Sequence, residues 1–464
     1  MKRSVLYIVI VLLAFQSGLK AQSCPPFDIL FESQSQIDSF PILYPDCRVI
    51  EGNLAIDGWD AGDDPIVSLH SLFRITEIQG DLTIMNTFEL NSLQGLEGIT
   101  SVGGRVYIAF TSLDSVAGLD NLQYVGESLQ IAQNSSMQNL HSLKRLQHVG
   151  DGLAVMSCGP IQNLNGLDSL SYIGQYLLLG YLYQFTSMQG MDRIKKISGY
   201  LKIENLPLLT DLHGLETIDT IAEDLILTNN QSLRSLTGLD NLKDLGGGVY
   251  IRENPLLVNI DELRHLKTLA FGISIKSNAS LQNISGLDSI THINNYNIHI
   301  TSNASLTDIS GIRNIDAGSV YFLEIASNPL LSICAYESTC NYLQNNPGFS
   351  NIALNAPGCN SDYEVLAQCE TLGDDSGFAG DGIQIIPSPV TESALIRFCL
   401  SESALVKLDI INGPGVVVTS LLNRVLPAGD HHAVWLPGNL SAGFYLCRIQ
   451  VNHRKWIRKI LYIP

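Results

Sequence analysis

Four cysteines, Cys334, Cys340, Cys359 and Cys369, sit close together late in the chain and are its strongest candidates for metal or redox chemistry. Zinc would use them as thiolates, but Cys-x5-Cys and Cys-x9-Cys spacings lack the paired short knuckles of a structural zinc site. The acidic run Asp57-Gly58-Trp59-Asp60-Ala61-Gly62-Asp63-Asp64 offers oxygen ligands for calcium, yet the order of its acids fails the EF-hand pattern and reads as a solvated insertion. Gly373-Asp374-Asp375-Ser376-Gly377 sets a serine hydroxyl between acid and glycine, as an acyl-transfer nucleophile requires, but no folded surroundings are expected there to build an oxyanion hole. Glu204 and Asp224 are two carboxylates that could flank a glycosidic bond if they lay about 5 to 10 Å apart. His431-His432 reads as strand surface, and Gly246-Gly247-Gly248 as a turn entering a strand. No nucleophile, base and orienter assemble from these groups, so the expectation is a non-enzyme without catalytic residues, metal or cofactor.

The cysteines take their meaning from the amino terminus. Lys2 and Arg3 precede an apolar run from Val5 to Phe15 and a small-residue stretch ending near Ala21, the pattern of a cleaved secretory signal over residues 1–21. Export favours disulfides over metal sites. Cys24 and Cys47 would staple an amino-terminal cap over residues 22–53; the four later cysteines would staple a second cap over 334–369, with three pairings open. Cys399 and Cys447 are a further candidate pair if their strands are neighbours, and Cys158 reads as a buried thiol. A net charge of -18 and a pI near 4.9 argue against a nucleic-acid or anionic-membrane partner, which would need a basic stripe.

Positioning these groups is a repeat. Two apolar residues flanking a variable one recur about every 24 residues, beginning at Leu54, Leu82, Val106, Leu129, Leu153, Leu177, Leu201, Leu225, Val249, Ile273, Ile298 and Leu323. A fixed period without a long helical pattern means stacked coils over 54–333. Period-2 alternation makes each motif a strand with inner and outer residues. Three places after the second apolar residue stand Asn134, Asn230, Asn254, Asn278, Asn303 and Asn328, which we read as amides pairing with backbone groups of neighbouring coils, not as glycan acceptors.

The copy Leu225-Ile226-Leu227, Asn230, Leu233, Leu236, Gly238, Leu239 resembles leucine-rich repeats of the receptor L-domain kind. That resemblance implies a mainly β fold: a parallel right-handed β-solenoid of about 12 coils used as a recognition scaffold. After an acidic, glycine-rich linker over 370–382, short alternating strands indicate a small Ig-like β-sandwich over 383–464. Ile386-Pro387-Ser388-Pro389, Val406-x-Leu408-x-Ile410, Leu426-x-x-Gly429 with Trp435, Leu440-x-x-Gly443-x-Tyr445 and Lys459-Ile460-Leu461-Tyr462-Ile463 resemble a type A sorting domain of the type IX secretion system. Ser388 and Gly413-Pro414 depart from that family's pattern. Membership implies a Gram-negative exporter that releases the protein or links it to surface lipopolysaccharide.

Function should then lie on outward residues. Tyr176, Leu178, Tyr200, Ile226 and Tyr250 are expected to form an exposed apolar and aromatic patch bordered by Lys202, Arg252 and Lys276, which are residue types of binding centres. The chain reads as a secreted or surface-attached adhesin-like protein that binds a protein or glycan. The alternatives are an exported glycan-processing enzyme using Glu204 and Asp224, or a passive surface-layer component.

Overall fold

The computed structural model describes residues 24–345, 349–369, 383–387, 389–412, 415–452 and 454–464. The expected signal sequence and linker, with Ser376, lie outside the described residues, as do Ser388 and Gly413-Pro414. The chain divides into two compact units, Met1–Leu257 and Val258–Pro464, a division that falls inside the repeats.

In the first unit one strand recurs per coil, including Leu54–Asp57, Leu129–Ala132, Gly152–Met156, Tyr176–Gly180, Leu201–Glu204, Leu225–Thr228 and Val249–Arg252. Neighbours are parallel and in register: Leu177 stands opposite Leu201, and Leu201 opposite Leu225. The alternation explains the burial. Leu201, Ile203, Leu225 and Leu227 are fully buried, whereas Lys202 and Ile226 between them keep partial exposure. A nine-stranded parallel sheet of two-residue strands, from Val49–Ile50 to Asp244–Leu245, forms a second face of these coils. Strands that short carry no readable alternation, and their pairing was not foreseen.

Between strand and asparagine the backbone turns through a left-handed residue. Gln133, Ser157, Tyr181, Asn205, Asn229 and Glu253 all have φ between 50° and 57°, a region disfavoured for residues with a Cβ. The turn keeps the interstrand ladder intact: Tyr181 N donates to Glu204 O at 3.1 Å and Asn229 N to Arg252 O at 3.0 Å. It also delivers the next residue inward. Asn230 is fully buried; its Nδ2 donates to Ile203 O (3.1 Å), and its Oδ1 accepts from Leu206 N (3.1 Å). Such an amide satisfies buried peptide groups that a coil made only of apolar side chains would orphan. Asn134 is fully buried as well, and its Oδ1 accepts from Thr111 N and Thr111 Oγ1. Cys158, at the same position of its coil, is a buried thiol that desolvation pushes up to about 11.

Helix α1, Gln34–Leu43, closes the amino-terminal end by burying Ile37 and Phe40, the latter edge-on to Phe31 at 5.4 Å. Gln34 Oε1 accepts from Val67 N and Ser68 N, Asp64 Oδ2 accepts from Ser35 N (3.0 Å), and Cys24 is bonded to Cys47. The acidic loop therefore spends Asp64 on holding the cap, and hydrogen bonds from Ser35 hold that carboxyl below its usual value.

In the second unit Ile273–Lys276, Tyr296–Thr301, Val320–Ala326 and Ser350–Ala353 pair in parallel. The asparagine ladder runs on here: Asn278 N donates to Asn303 Oδ1 (3.0 Å), Asn303 N to Asn328 Oδ1 (3.0 Å) and Asn328 N to Asn355 Oδ1 (2.9 Å). Helices α2, Glu337–Asn345, and α3, Asp362–Cys369, follow, fastened by Cys334–Cys359 and Cys340–Cys369. Of the three pairings open to sequence reasoning, this is the one adopted.

Residues from Ile383 onward form two antiparallel sheets. Strands β1 (Gln384–Ile386), β2 (Ala394–Leu400) and β5 (Gly429–Trp435) make one, in the order β1-β2-β5. The other contains β3 (Ala404–Asn412), β4 (Val417–Leu426), β6 (Gly443–Val451) and β7 (Arg454–Tyr462), in the order β4-β3-β6-β7. A single core draws on both, with Ile396, Phe398 and Trp435 from one and Val406, Leu408, Cys447, Ile449 and Ile460 from the other. Cys399 and Cys447 are not a bridged pair: Cys447 faces the shared core, whereas Cys399 alternates with the inward Phe398 and Leu400 on β2 and turns away from it, and no disulfide joins them.

Candidate functional site

Stacking places the outward residues of the first unit in rows along the coils. Gly152 is opposite Tyr176, Leu178 opposite Lys202, Lys202 opposite Ile226, Ile226 opposite Tyr250 and Thr228 opposite Arg252. Tyr176, Leu178, Tyr200, Lys202, Ile226, Tyr250 and Arg252 thus share one face over adjacent coils, and each keeps partial exposure. Lys276 is exposed on Ile273–Lys276 in the second unit.

The rings are held by specific contacts. Tyr176 and Tyr200 stack with centroids 5.3 Å apart and planes 10° from parallel. Tyr176 lies across Gly152, where a Cβ would overlap the ring, and its hydroxyl accepts from Gln130 Nε2 at 3.2 Å. Burial, followed by the neighbouring Tyr176, Glu223 and Glu204, raises the Tyr200 hydroxyl above its ordinary value. Arg252 sits over the Tyr250 ring at 5.3 Å. This patch is a set of pre-oriented ring faces and edges with charged groups at its border, suited to contact.

Both carboxylates of the enzymatic alternative are engaged by the chain. Glu204 Oε1 is 2.9 Å from Lys202 Nζ, and Asp224 Oδ1 accepts from Gly248 N at 2.7 Å. The same strand-entry use of a side-chain oxygen recurs where Asp81 Oδ1 accepts from Arg105 N at 2.7 Å.

Two further groupings went unnoticed in the sequence. On the short-strand sheet Tyr124, His148 and Tyr172 stack at 4.7 and 4.5 Å with planes 11° and 2° from parallel. Their common spacing of one repeat was the available signal. On the second unit's coils Ser274, His299, Glu324 and Asn351 are in register. His299 Nδ1 lies 2.8 Å from Glu324 Oε2, and Asn351 Nδ2 donates to Glu324 Oε1 at 2.8 Å. Desolvation works to raise the Glu324 carboxyl, but the hydrogen bonds from His299 and Asn351 and the charges of His299 and Lys276 leave it below its usual value.

Residues 46–112 match the family model of the receptor L domain. No curated protein matches the chain. The matched segment covers the first coils, whose register and inward burial recur in the later coils of the same unit.

Proposed function

We propose that this chain is an extracellular recognition protein that binds a protein or glycan through the long-strand face of its coils, in the manner of an adhesin. The observation that carries the reading is the in-register cluster of Tyr176, Tyr200, Ile226 and Tyr250 on outward positions. Its residues are free of the packing demands that fix Leu201 or Leu225, and the receptor L-domain match and the stapled caps agree with an extracellular setting. Engagement of Glu204 and Asp224 within the chain favours contact over hydrolysis.

The test is Tyr200→Ala with Tyr250→Ala in the mature chain, assayed on protein and glycan arrays and for cell adhesion. Binding should fall at least about tenfold, each aromatic contact contributing on the order of 1 to 2 kcal/mol, while the melting temperature changes little. Unchanged binding by a folded double variant would remove the site from this face.

For residues 383–464 we propose an Ig-like sandwich acting as a type A sorting domain of the type IX system, in a Gram-negative cell with surface lipopolysaccharide as the attachment partner. Support comes from the landmark residues Trp435, Tyr445 and Tyr462, which meet in one aromatic cluster with centroids 5.4 to 6.3 Å apart. A chain ending at Cys369 should fail to reach the surface of its native host; if it arrives there normally, the sorting role is wrong.

A further inference from the structure

Antiparallel sheets with one solvated face alternate apolar-in and polar-out, and the four-stranded sheet breaks that rule in one strip. On β3, Val406, Leu408 and Ile410 point into the shared core, so Leu405 and Ile411 belong to the opposite face. Leu405 is 47% exposed, as such a residue should be, whereas Ile411 is 5% exposed. On β6 and β7 the outward Leu446 and Ile457 are 6% and 7% exposed. These three form a buried cluster separate from the main core, and the partly buried residues packed against it are Tyr363 and Leu366 of α3. Lys459, outward on β7, lies 3.7 Å from the Phe444 centroid and 5.5 Å from that of Tyr363, so its ammonium bridges the two elements.

From this geometry we infer that the outer face of the four-stranded sheet is a docking surface whose occupant is helix α3 of the same chain. The helix is a fixed platform: its last residue, Cys369, is bonded to Cys340 on α2. The C-terminal sheets are therefore seated on the disulfide-locked cap by side-chain packing, in addition to their covalent connection. A partner that recognises the strip of Ile411, Leu446 and Ile457 must displace α3 first. That consequence for export rests on the sorting role proposed above; the docking does not.

Hydroxyl-radical footprinting of the full chain tests the docking directly, with Leu405 as the exposed reference on the same face and the fully buried Ile449 of β6 as the core reference. Leu446 and Ile457 should be oxidised about tenfold more slowly than Leu405 in the unaltered protein. Leu366→Asp should raise both to the Leu405 rate and leave Ile449 protected. Should Leu366→Asp also expose Ile449, Leu366→Ala takes its place and must raise Leu446 and Ile457 while Ile449 stays protected. Oxidation of Leu446 as fast as Leu405 in the unaltered chain, or continued protection in a folded Leu366 variant, overturns the inference. Neither outcome depends on whether the protein is exported.

Discussion

The repeats and the C-terminal sheets meet the same demand, burying strands without orphaning their polar groups, in opposite ways. Each coil repeats a small kit of inward Leu or Ile, a left-handed corner and, in many coils, a buried asparagine, so the load is shared along the stack. The C-terminal sheets concentrate theirs. Asp409 is 1% exposed by side chain and is held by Arg448 at 2.7 Å, Lys407 at 3.6 Å and Ser420 at 2.8 Å. A defect in a repeated kit is local, whereas the Asp409 network has no second copy along the chain to share its load. The ends of the repeats are the exception, since a terminal coil lacks one neighbour and relies on covalent staples.

Removing those staples should produce the largest effect. Cys334→Ser with Cys340→Ser opens both bridges of the carboxy-terminal cap, each worth roughly 2–4 kcal/mol. Thermal unfolding followed by circular dichroism should show a loss of this order in the repeats, and an unchanged transition would mean that helices α2 and α3 close the end by packing alone. Next comes Asn303→Ala, which leaves Asn278 N and Ile275 O without their partner. A cost of about 2–4 kcal/mol is expected from chemical denaturation, at 1–3 kcal/mol for each orphaned buried group after partial relaxation. If Asn303→Ala proves nearly neutral, the kit is more tolerant than described and the contrast with Asp409 fails.

Smaller is Asp409→Asn, expected to destabilise the C-terminal sheets by about 2 kcal/mol. Its titration has a definite sign. Desolvation acts to raise this carboxyl, but Arg448, Ser420 and Lys407 together depress it below its ordinary value. The stabilisation it brings is therefore present above about pH 4 and lost as the pH falls through the lower folded value. The wild-type C-terminal transition should weaken below pH 4, and Asp409→Asn should flatten that dependence; an equal acid response in both would assign it to other groups. Smallest in stability is Gly152→Ala, which should unseat the Tyr176 ring, alter binding on the outer face and move the melting temperature only slightly.

The coils were legible because a period of 24 and an inward parity are written in the same residues, Leu201 and Ile203 or Leu225 and Leu227. The left-handed corners were not, since Phe110, Tyr181 and Leu354 occupy some of them with φ of 55° to 58° and nothing in those side chains signals the conformation. Helix α1 was hidden by Pro41 within its last turn, and the aromatic stack of Tyr124, His148 and Tyr172 by strands too short to show a pattern. The outward patch was readable from parity alone; the seat of Tyr176 on Gly152 was not, because it depends on which way a ring leans. Burial of Ile411, Leu446 and Ile457 contradicts their parity, and only a neighbour distant in sequence accounts for it.

The two bridges of the carboxy-terminal cap also decide how the repeats behave under tension. Coils held by nearest-neighbour contacts should peel in succession, each freeing 24 residues that extend by roughly 3.3–3.6 Å apiece, or about 80 Å. The loops closed by Cys334–Cys359 and Cys340–Cys369 cannot lengthen in this way while their bonds persist. Pulled from its carboxy-terminal end, the chain should give a sawtooth of even steps under oxidising conditions, and reduction should add contour length from the cap. In this sense the repeats are extensible and the cap that follows them is locked against stretch.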